Sequence, residues 1–479
     1  MADPLTDALE NARALGRSGQ VQGALMAYRK VLLTHPESIE VWVEYAGQLL
    51  SMDQPEEALE ASLCGLSLGP GFLPALALQG RALLRLGRLK EAEERLMDLV
   101  SLDPSGVEAR LDLARCYIKG GDLDWATATL IQCAKLDPGN PVITTLLLEI
   151  YITQERWPQL HQEMLRRASV DYSGPVAEWE ASCINLQFGF MPLGWDQHEA
   201  RWSHPRLTTP LRGYTQPSWN GEPFEGRTLL LHWEQGFGDT LMFLRYASKV
   251  KSLGGRVLLL AQPELADLVG TCPGIDEVCV EGGPLPAFDL QLPLLSLPRV
   301  FRTTLDTIPT EIPYLNVPRV VPNRQGICEQ LATSRKGHRI GVSWASSPIQ
   351  DRASQKSIPP ALFGPLGSLP EVDWFALQHG SQEMPPLPGI VALSPLLSNF
   401  SDTAYALSGL DLVITIDTAL AHLAGAMGIP TLLLVPYLPD WRWLMGRADC
   451  PWYPSIQIYR QPRVSDWKAV IQQTLQDLQ

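Results

Sequence analysis

Apolar and small residues follow two rhythms along this chain, and the rhythm changes between about residues 172 and 227. In the first stretch Ala12, Ala46, Gly80 and Ala114 are spaced 34 residues apart. So are Ala24, Ala58, Ala92 and Ala126, and Pro36, Pro70, Pro104 and Pro138. Gly19, Gly87 and Gly121 mark a turn at the same step, with Asp53 in the remaining copy. Small residues where two helices cross, and a proline after the second, predict a helix–turn–helix unit repeated four times over about 5–140. A fifth copy, about 141–172, is degenerate: Asp171 keeps the step but Tyr172 replaces proline, as a capping unit would.

From Arg227 onward, short apolar runs separated by turn residues predict alternating strands and helices. Strands are expected at 228–232, 256–261, 276–280 and 288–292, then at 339–344, 372–377, 411–416 and 431–435. This order predicts two parallel α/β halves, 227–322 and 338–479, joined by a linker near 315–337 with a cleft between them. The last helix, Asp466 to Leu478, is placed to cross back to the first half. Residues 173–226 form a helical bridge, in which Trp195 and Trp202 share one helical face and are expected to pack the repeats against the α/β part.

The 34-residue period resembles the tetratricopeptide repeat. The fold class expected for the whole chain is therefore an N-terminal tetratricopeptide helical solenoid (1–172) followed by α/β structure. Composition narrows the rest. No apolar run is long enough to span a membrane, and the N-terminus lacks a signal-peptide core, so a cytoplasmic location is expected. Eight scattered cysteines without a CxxC pair point to reduced thiols and against a zinc site. The net charge is −14, and residues 1–150 hold 21 acidic against 13 basic side chains, a surplus of 8 negative charges. Such a surface repels nucleic acid and anionic membranes.

The candidate chemistry centres on Thr415 to Gly428, TIDTALAHLAGAMG, between two apolar strands. In open parallel sheets ligands bind outside the carboxyl ends of strands, where Asp417 and Thr418 are expected, and the following helix can receive an anion on its free N–H groups. His422 follows within about one turn. Short polar residues also cap helices, so Asp417 and Thr418 keep that plainer reading too. A second loop, Glu234-Gln-Gly236-Phe-Gly238-Asp239-Thr, follows the strand ending at His232. Gly236 and Gly238 allow a tight turn and close approach of a ligand, and Asp239 stands at a helix start, where it too could be only a cap. The loop is neither a dinucleotide fingerprint nor a phosphate loop. Asp122 and Asp124 form a DxD pattern, but in the turn of a repeat.

Gly238-Asp239, Lys356-Ser-Ile-Pro359 and the DTALAHLAGAMG run, in this order over about 226–479, resemble the two-Rossmann-domain glycosyltransferases, nearest the heptosyltransferase-like family. The full layout is similar to bacterial repeat proteins with a glycosyltransferase-like end, and echoes protein O-linked N-acetylglucosamine transferases. The resemblance implies a glycosyltransferase-B fold of two Rossmann-like domains, the first on the acceptor side and the second on the nucleotide-sugar side. It implies inverting, metal-independent transfer from a nucleotide-diphosphate sugar to a hydroxyl, with no cofactor beyond that donor. By the same resemblance Asp239 is the general base, Lys356 neutralises the leaving diphosphate, and Asp417 holds sugar hydroxyls. Thr418 and the helix end then meet phosphate, and His422 bonds phosphate or sugar.

Trp344 stacks on a base, lines the cleft or packs the core; His232 and Glu234 are rival bases. Two departures bear on the donor. Ala419 stands where the family usually has glycine, and Leu438-Pro-Asp-Trp-Arg-Trp443 replaces a glycine-rich turn. The repeats are expected to present a protein or peptide acceptor, or a partner. Two alternatives stay open: transfer to protein Ser or Thr, and a non-catalytic scaffold whose transferase half only binds.

Overall fold

The computed structural model describes residues 4–205, 207, 209, 212–333, 337–347, 353–380 and 383–479. Residues 206, 208, 210 and 211 of the expected bridge, and 334–336 of the expected linker, lie outside the described residues. The chain divides into two compact units, Met1–Arg156 and Trp157–Gln479.

The first unit is a run of paired helices: α1 (Pro4–Arg17), α2 (Val21–Thr34), α3 (Ile39–Ser51), α4 (Pro55–Leu68), α5 (Leu73–Arg85), α6 (Leu89–Leu102), α7 (Val107–Gly120), α8 (Leu123–Leu136) and α9 (Pro141–Thr153). The periodic alanines are completely buried where helices cross. At Gly80 a Cβ would lie 2.6 Å from Leu96 Cδ2, so that crossing admits no larger residue. The turns repeat in backbone conformation as well. Gly19, Gly87 and Gly121 take φ of 78°, 75° and 86°, and Asp53 adopts the same left-handed region at 56°. Glu155, one further step along, follows at 52°, so the period reaches the degenerate fifth copy. Ion pairs keep the register too: Arg13–Glu44 and Arg81–Asp112 each join adjacent repeats across 31 residues, the second pair standing two repeats after the first.

The second unit holds two all-parallel sheets. The first contains β1 (Thr228–His232), β2 (Arg256–Ala261), β3 (Glu277–Val280) and β4 (Leu290–Pro293), in the order β3-β2-β1-β4. The second contains β5 (His338–Val342), β6 (Val372–Ala376), β7 (Val391–Ala392), β8 (Leu412–Ile416), β9 (Thr431–Val435) and β10 (Ile456–Arg460), ordered β10-β9-β8-β5-β6-β7. Side chains alternate across each strand. Leu229, Leu231, Val257 and Leu259 face one continuous apolar cluster that also holds Val413, Leu433 and Ile458 of the second sheet. Leu230, Leu258 and Leu260 face outward, beneath Tyr214, Trp233 and Phe288.

Several expectations change. The expected strand at 339–344 starts a residue earlier and stops at Val342, and β7 and β10 join the second sheet. The terminal helix, Trp467–Leu478, does not cross to the first half. Its apolar face, Trp467, Val470 and Ile471, covers Ile340, Val342, Ile414 and Leu432 of its own sheet. The helices Gly174–Gln187 and Met191–His198 are packed into the second unit: Trp195 meets Phe243, Trp441 and Trp452 edge-on. Trp157 also belongs here, since its indole lies 2.9 Å from where a Cβ on Gly446 would stand. Expressed alone, residues 157–479 should therefore melt cooperatively and show a native near-ultraviolet circular-dichroism spectrum from their buried tryptophans. A featureless spectrum would show that the fragment does not fold by itself.

A buried arginine ties the two sheets together. Arg245 sits in a tight turn (Leu244–Tyr246) after the helix Phe237–Phe243. It donates to the carbonyls of Met242, Pro309 and Trp452 and to the Tyr314 hydroxyl, with the rings of Tyr314, Trp452 and Tyr453 around it.

Candidate active site

In the second sheet the chain winds outward from β5 in one direction and from β8 in the other, so the crevice between their carboxyl ends is a topological switch point. Asp417 leaves β8 at that point and is buried. Lys356, from a short helix after β5, brings Nζ to 2.5 Å from Asp417 Oδ2, an ion pair whose approach is off the axis of a hydrogen bond. Burial works against the Lys356 charge, but Asp417 and Asp440 outweigh it and hold its pKa above the usual value. The lysine is thus a fixed cation, and Asp417 is one half of a buried pair rather than a simple cap. Thr418 occupies the N-cap position of the helix Ala419–Ala426, yet its side chain makes no capping bond. Its Oγ1 lies 3.5 Å from the Ile416 carbonyl.

The loop after β1 reaches the same region from the first sheet. Asp239 does two things at once: Oδ2 accepts from the Gly236 N–H at 3.1 Å, capping its helix, and Oδ1 pairs with Arg442. Arg442 also holds Asp440 at 2.7 Å and stacks over the Trp441 ring at 4.1 Å. Burial opposes the Arg442 charge, but Asp239, Asp440 and Asp417 keep its pKa above the usual arginine range. Asp440 is held well below the usual carboxylate range by Arg442 and Lys356, against its burial. Asp239, Arg442, Asp440, Lys356 and Asp417 therefore form one electrostatic cluster drawn from both sheets, with two cations against three carboxylates.

Arg442 and Asp440 were not among the residues picked out by motif. They lie in the 438–443 stretch where the chain departs from the heptosyltransferase pattern, and their detectable signal is a charged pair inside an aromatic run. Trp441 and Trp443 are buried and anchor that run.

Gly238 is needed for close packing between the two halves. A Cβ there would lie 2.8 Å from His422 Cδ2, so glycine lets the two helix starts meet. The left-handed residue of the loop is Gln235, at φ 61°, while Gly236 is extended. His422 stacks on Trp443 at 4.9 Å and shares a 3.0 Å hydrogen bond with the Tyr453 hydroxyl. Burial, reinforced by Arg442, pushes its pKa well below the usual histidine value. The ring is neutral at pH 7 and can offer a hydrogen bond but no charge.

The remaining candidates lie apart from the cluster or beneath it. Glu234 is fully buried and forked by Arg201, with N–O distances of 2.8 and 2.9 Å, and accepts from the Leu295 N–H at 3.1 Å. Burial raises the Glu234 pKa against the pull of Arg201. This is a structural pair with its carboxylate already engaged. His232 bonds Gln291 at 3.0 Å, and burial lowers its pKa to about 4. Trp344 packs in the core with Ile358, Phe363 and Trp374.

Comparisons with known proteins agree with the repeat unit. Residues 83–150 match the tetratricopeptide repeat family. Over 328 residues the chain is 25% identical to Protein FlbA of Caulobacter vibrioides, covering 62% of this chain and 54% of that protein. The match thus spans about half of that relative's length. Among solved structures, MamA 41-end from Desulfovibrio magneticus RS-1 is 17% identical with a TM-score of 0.33, covering 36% of this chain and 97% of that one. A tetratricopeptide repeat protein from Parabacteroides merdae is 17% identical with a TM-score of 0.32, covering 43% and 82%. The family match at 83–150 and the paired helices show tetratricopeptide repeats, and the C-terminal α/β unit carries parallel sheets. No helix among the described residues is long and apolar enough to cross a membrane.

Proposed function

We propose that the second unit is an inverting glycosyltransferase of the glycosyltransferase-B type, moving a sugar from a nucleotide-diphosphate sugar to a hydroxyl acceptor. The observation that carries this reading is the single cluster in which Asp239 from one sheet meets Arg442 from the other, with Asp440 linking that pair to Lys356 and Asp417. Asp239 is the proton acceptor, after an incoming hydroxyl draws it from Arg442. Lys356 and Arg442 are the cations that offset charge on the leaving diphosphate, and the start of the helix Ala419–Ala426 supplies N–H donors. Asp417 and Asp440 accept from sugar hydroxyls as their cations turn to phosphate. The tetratricopeptide unit supports protein–protein interaction, and in this reading it presents a protein or peptide acceptor, or a partner.

The first experiment is a thermal-shift screen across nucleotide sugars. Ligand at a hundred times its dissociation constant stabilises by about 2.7 kcal/mol. With the preferred donor found, Lys356→Ala should weaken its binding by about 1–3 kcal/mol, or about 5- to 150-fold, the range for hydrogen bonds to charged groups. Calorimetry with unchanged affinity would remove Lys356 from the donor site. A binding-only reading also has an observation in its favour, because Asp239 is already paired with Arg442 and Lys356 with Asp417. It gains if wild type binds a donor yet transfers no sugar to water, peptide or saccharide acceptors.

A further inference from the structure

The first helices of the repeats carry a basic pattern at the 34-residue step. Arg13, Arg81 and Arg115 share one repeat position, and Arg17, Arg85 and Lys119 share another, four residues later on the same helix face. The second repeat breaks the pattern with Gly47 and Ser51, and the fifth with Glu149 and Thr153. Around that break a groove of about 550 Å³ runs across α3, α5 and α7. Four cations line it, Arg81, Arg85, Arg115 and Lys119, against one carboxylate, Asp112. We infer that this groove docks an acidic, extended segment of a partner protein. The inference rests on the reading of the repeats as a protein-binding unit and does not need sugar transfer.

The groove cations are held in place yet open to solvent. Asp112 is buried between two of them, accepting from Arg81 Nε at 2.5 Å and from Arg115 Nη1 at 2.9 Å. One carboxylate fixes both guanidiniums but takes only part of their donors, since each carries five N–H groups. The side chains of Arg81, Arg85 and Arg115 are 39%, 57% and 41% exposed. Lys119 is exposed as well and gives one of its three donors to the Leu84 carbonyl at 2.8 Å. At the rim Glu108 lies 3.6 Å from Arg81, and Asp53 lies 2.9 Å from Arg85, both on exposed side chains. Exposed pairs of this kind contribute little and exchange readily for another carboxylate. In the first repeat, by contrast, Arg13 and Arg17 are already shared between Glu10 and Glu44.

Two further features define the partner. Residues 1–150 carry a surplus of 8 negative charges, so the groove has the opposite sign to its surroundings. That surround repels a long polyanion such as nucleic acid, while the groove attracts a short run of carboxylates, which guanidinium groups meet with paired hydrogen bonds. Gly47 leaves the space. It stands where three other repeats carry arginine, and a Cβ there would meet nothing within 4 Å. A partner side chain can enter that gap and rest on Leu50, Leu78 and Leu84, which also line the groove.

The test uses the full chain without any nucleotide sugar, so its result stands apart from that of the transferase reading. Selection of random peptides of about eight residues, long enough when extended to cross several helices, should enrich Asp and Glu over the input. By fluorescence polarisation the best binder should exceed its Asn/Gln counterpart by about tenfold or more, the scale of a charge-assisted hydrogen bond. Added salt should weaken it. Arg85→Glu combined with Lys119→Glu should weaken it about tenfold or more with the melting temperature unchanged. Gly47→Leu, which fills the gap without altering charge, should do the same. Should the charge-reversed chain melt early, Gly47→Leu decides the matter. Enrichment of neutral or basic sequences overturns the inference while leaving the repeats a protein-binding unit. Acidic-peptide binding that survives both variants overturns it too, as does tighter binding of a single-stranded oligonucleotide of matching length. No enrichment of any sequence overturns both the inference and the protein-binding role of the repeats.

Discussion

Asp239→Asn is expected to lower sugar transfer by about a hundred- to ten-thousandfold, the usual share of general-base catalysis, with the melting temperature little changed. Asparagine keeps an oxygen to accept the Gly236 N–H, so the helix start stays capped. Arg442 is not stranded, because Asp440 still holds it at 2.7 Å. In the proposed mechanism, what disappears is the proton acceptor. Donor affinity should hold or rise, since a guanidinium freed from one carboxylate is better placed to meet a diphosphate. Steady-state turnover and calorimetry on the same preparation read both effects. An Asn variant with near-wild-type turnover would leave Asp239 as a cap and counter-ion only.

Glu234→Ala should destabilise the second unit by about 3–5 kcal/mol, the usual consequence of stranding one member of a buried ion pair. Arg201 has 1% of its side-chain surface exposed and Glu234 none, and Arg201 also holds Glu199 and Ser296. Glu199 still meets one arm of the guanidinium, but Arg201 Nε and the Leu295 N–H lose their acceptor deep in the core. Urea unfolding of residues 157–479, followed by near-ultraviolet circular dichroism, measures the loss. A Glu234→Gln variant separates the two roles this residue could have. If it supports the fold, Gln lowers the unfolding midpoint. If it were the base instead, Gln would leave the midpoint in place and abolish turnover.

Much of this architecture was legible because it is written in repetition or in apolar runs. The 34-residue step sets helix crossings and left-handed turns alike, so Ala12 and Gly19 could be read before any coordinates. Strands such as Leu412–Ile416 announce themselves as buried runs. β10 did not, because Gln457 and Arg460 break its apolar pattern between two prolines. The helix begun at Asp239 breaks at Leu244–Tyr246, where Arg245 turns inward, and no break residue in the sequence marks that point. Asp239, Lys356 and Asp417 could be singled out by motif, whereas the Arg442 that joins them could not. Its role depends on a contact 203 residues away in sequence, and no local spacing encodes that.

Arg245 carries a mechanical consequence. Its guanidinium takes carbonyls from the helix just before its turn, from the connector at Pro309 and from Trp452 beyond the second sheet's β9. Opening the two sheets like a clamshell would strip a buried cation of the partners that solvate it, at a cost of several kcal/mol. Any ligand-driven rearrangement of this unit should therefore turn about Arg245 as a pivot, with the Asp239 and Lys356 sides swinging while that pin stays seated.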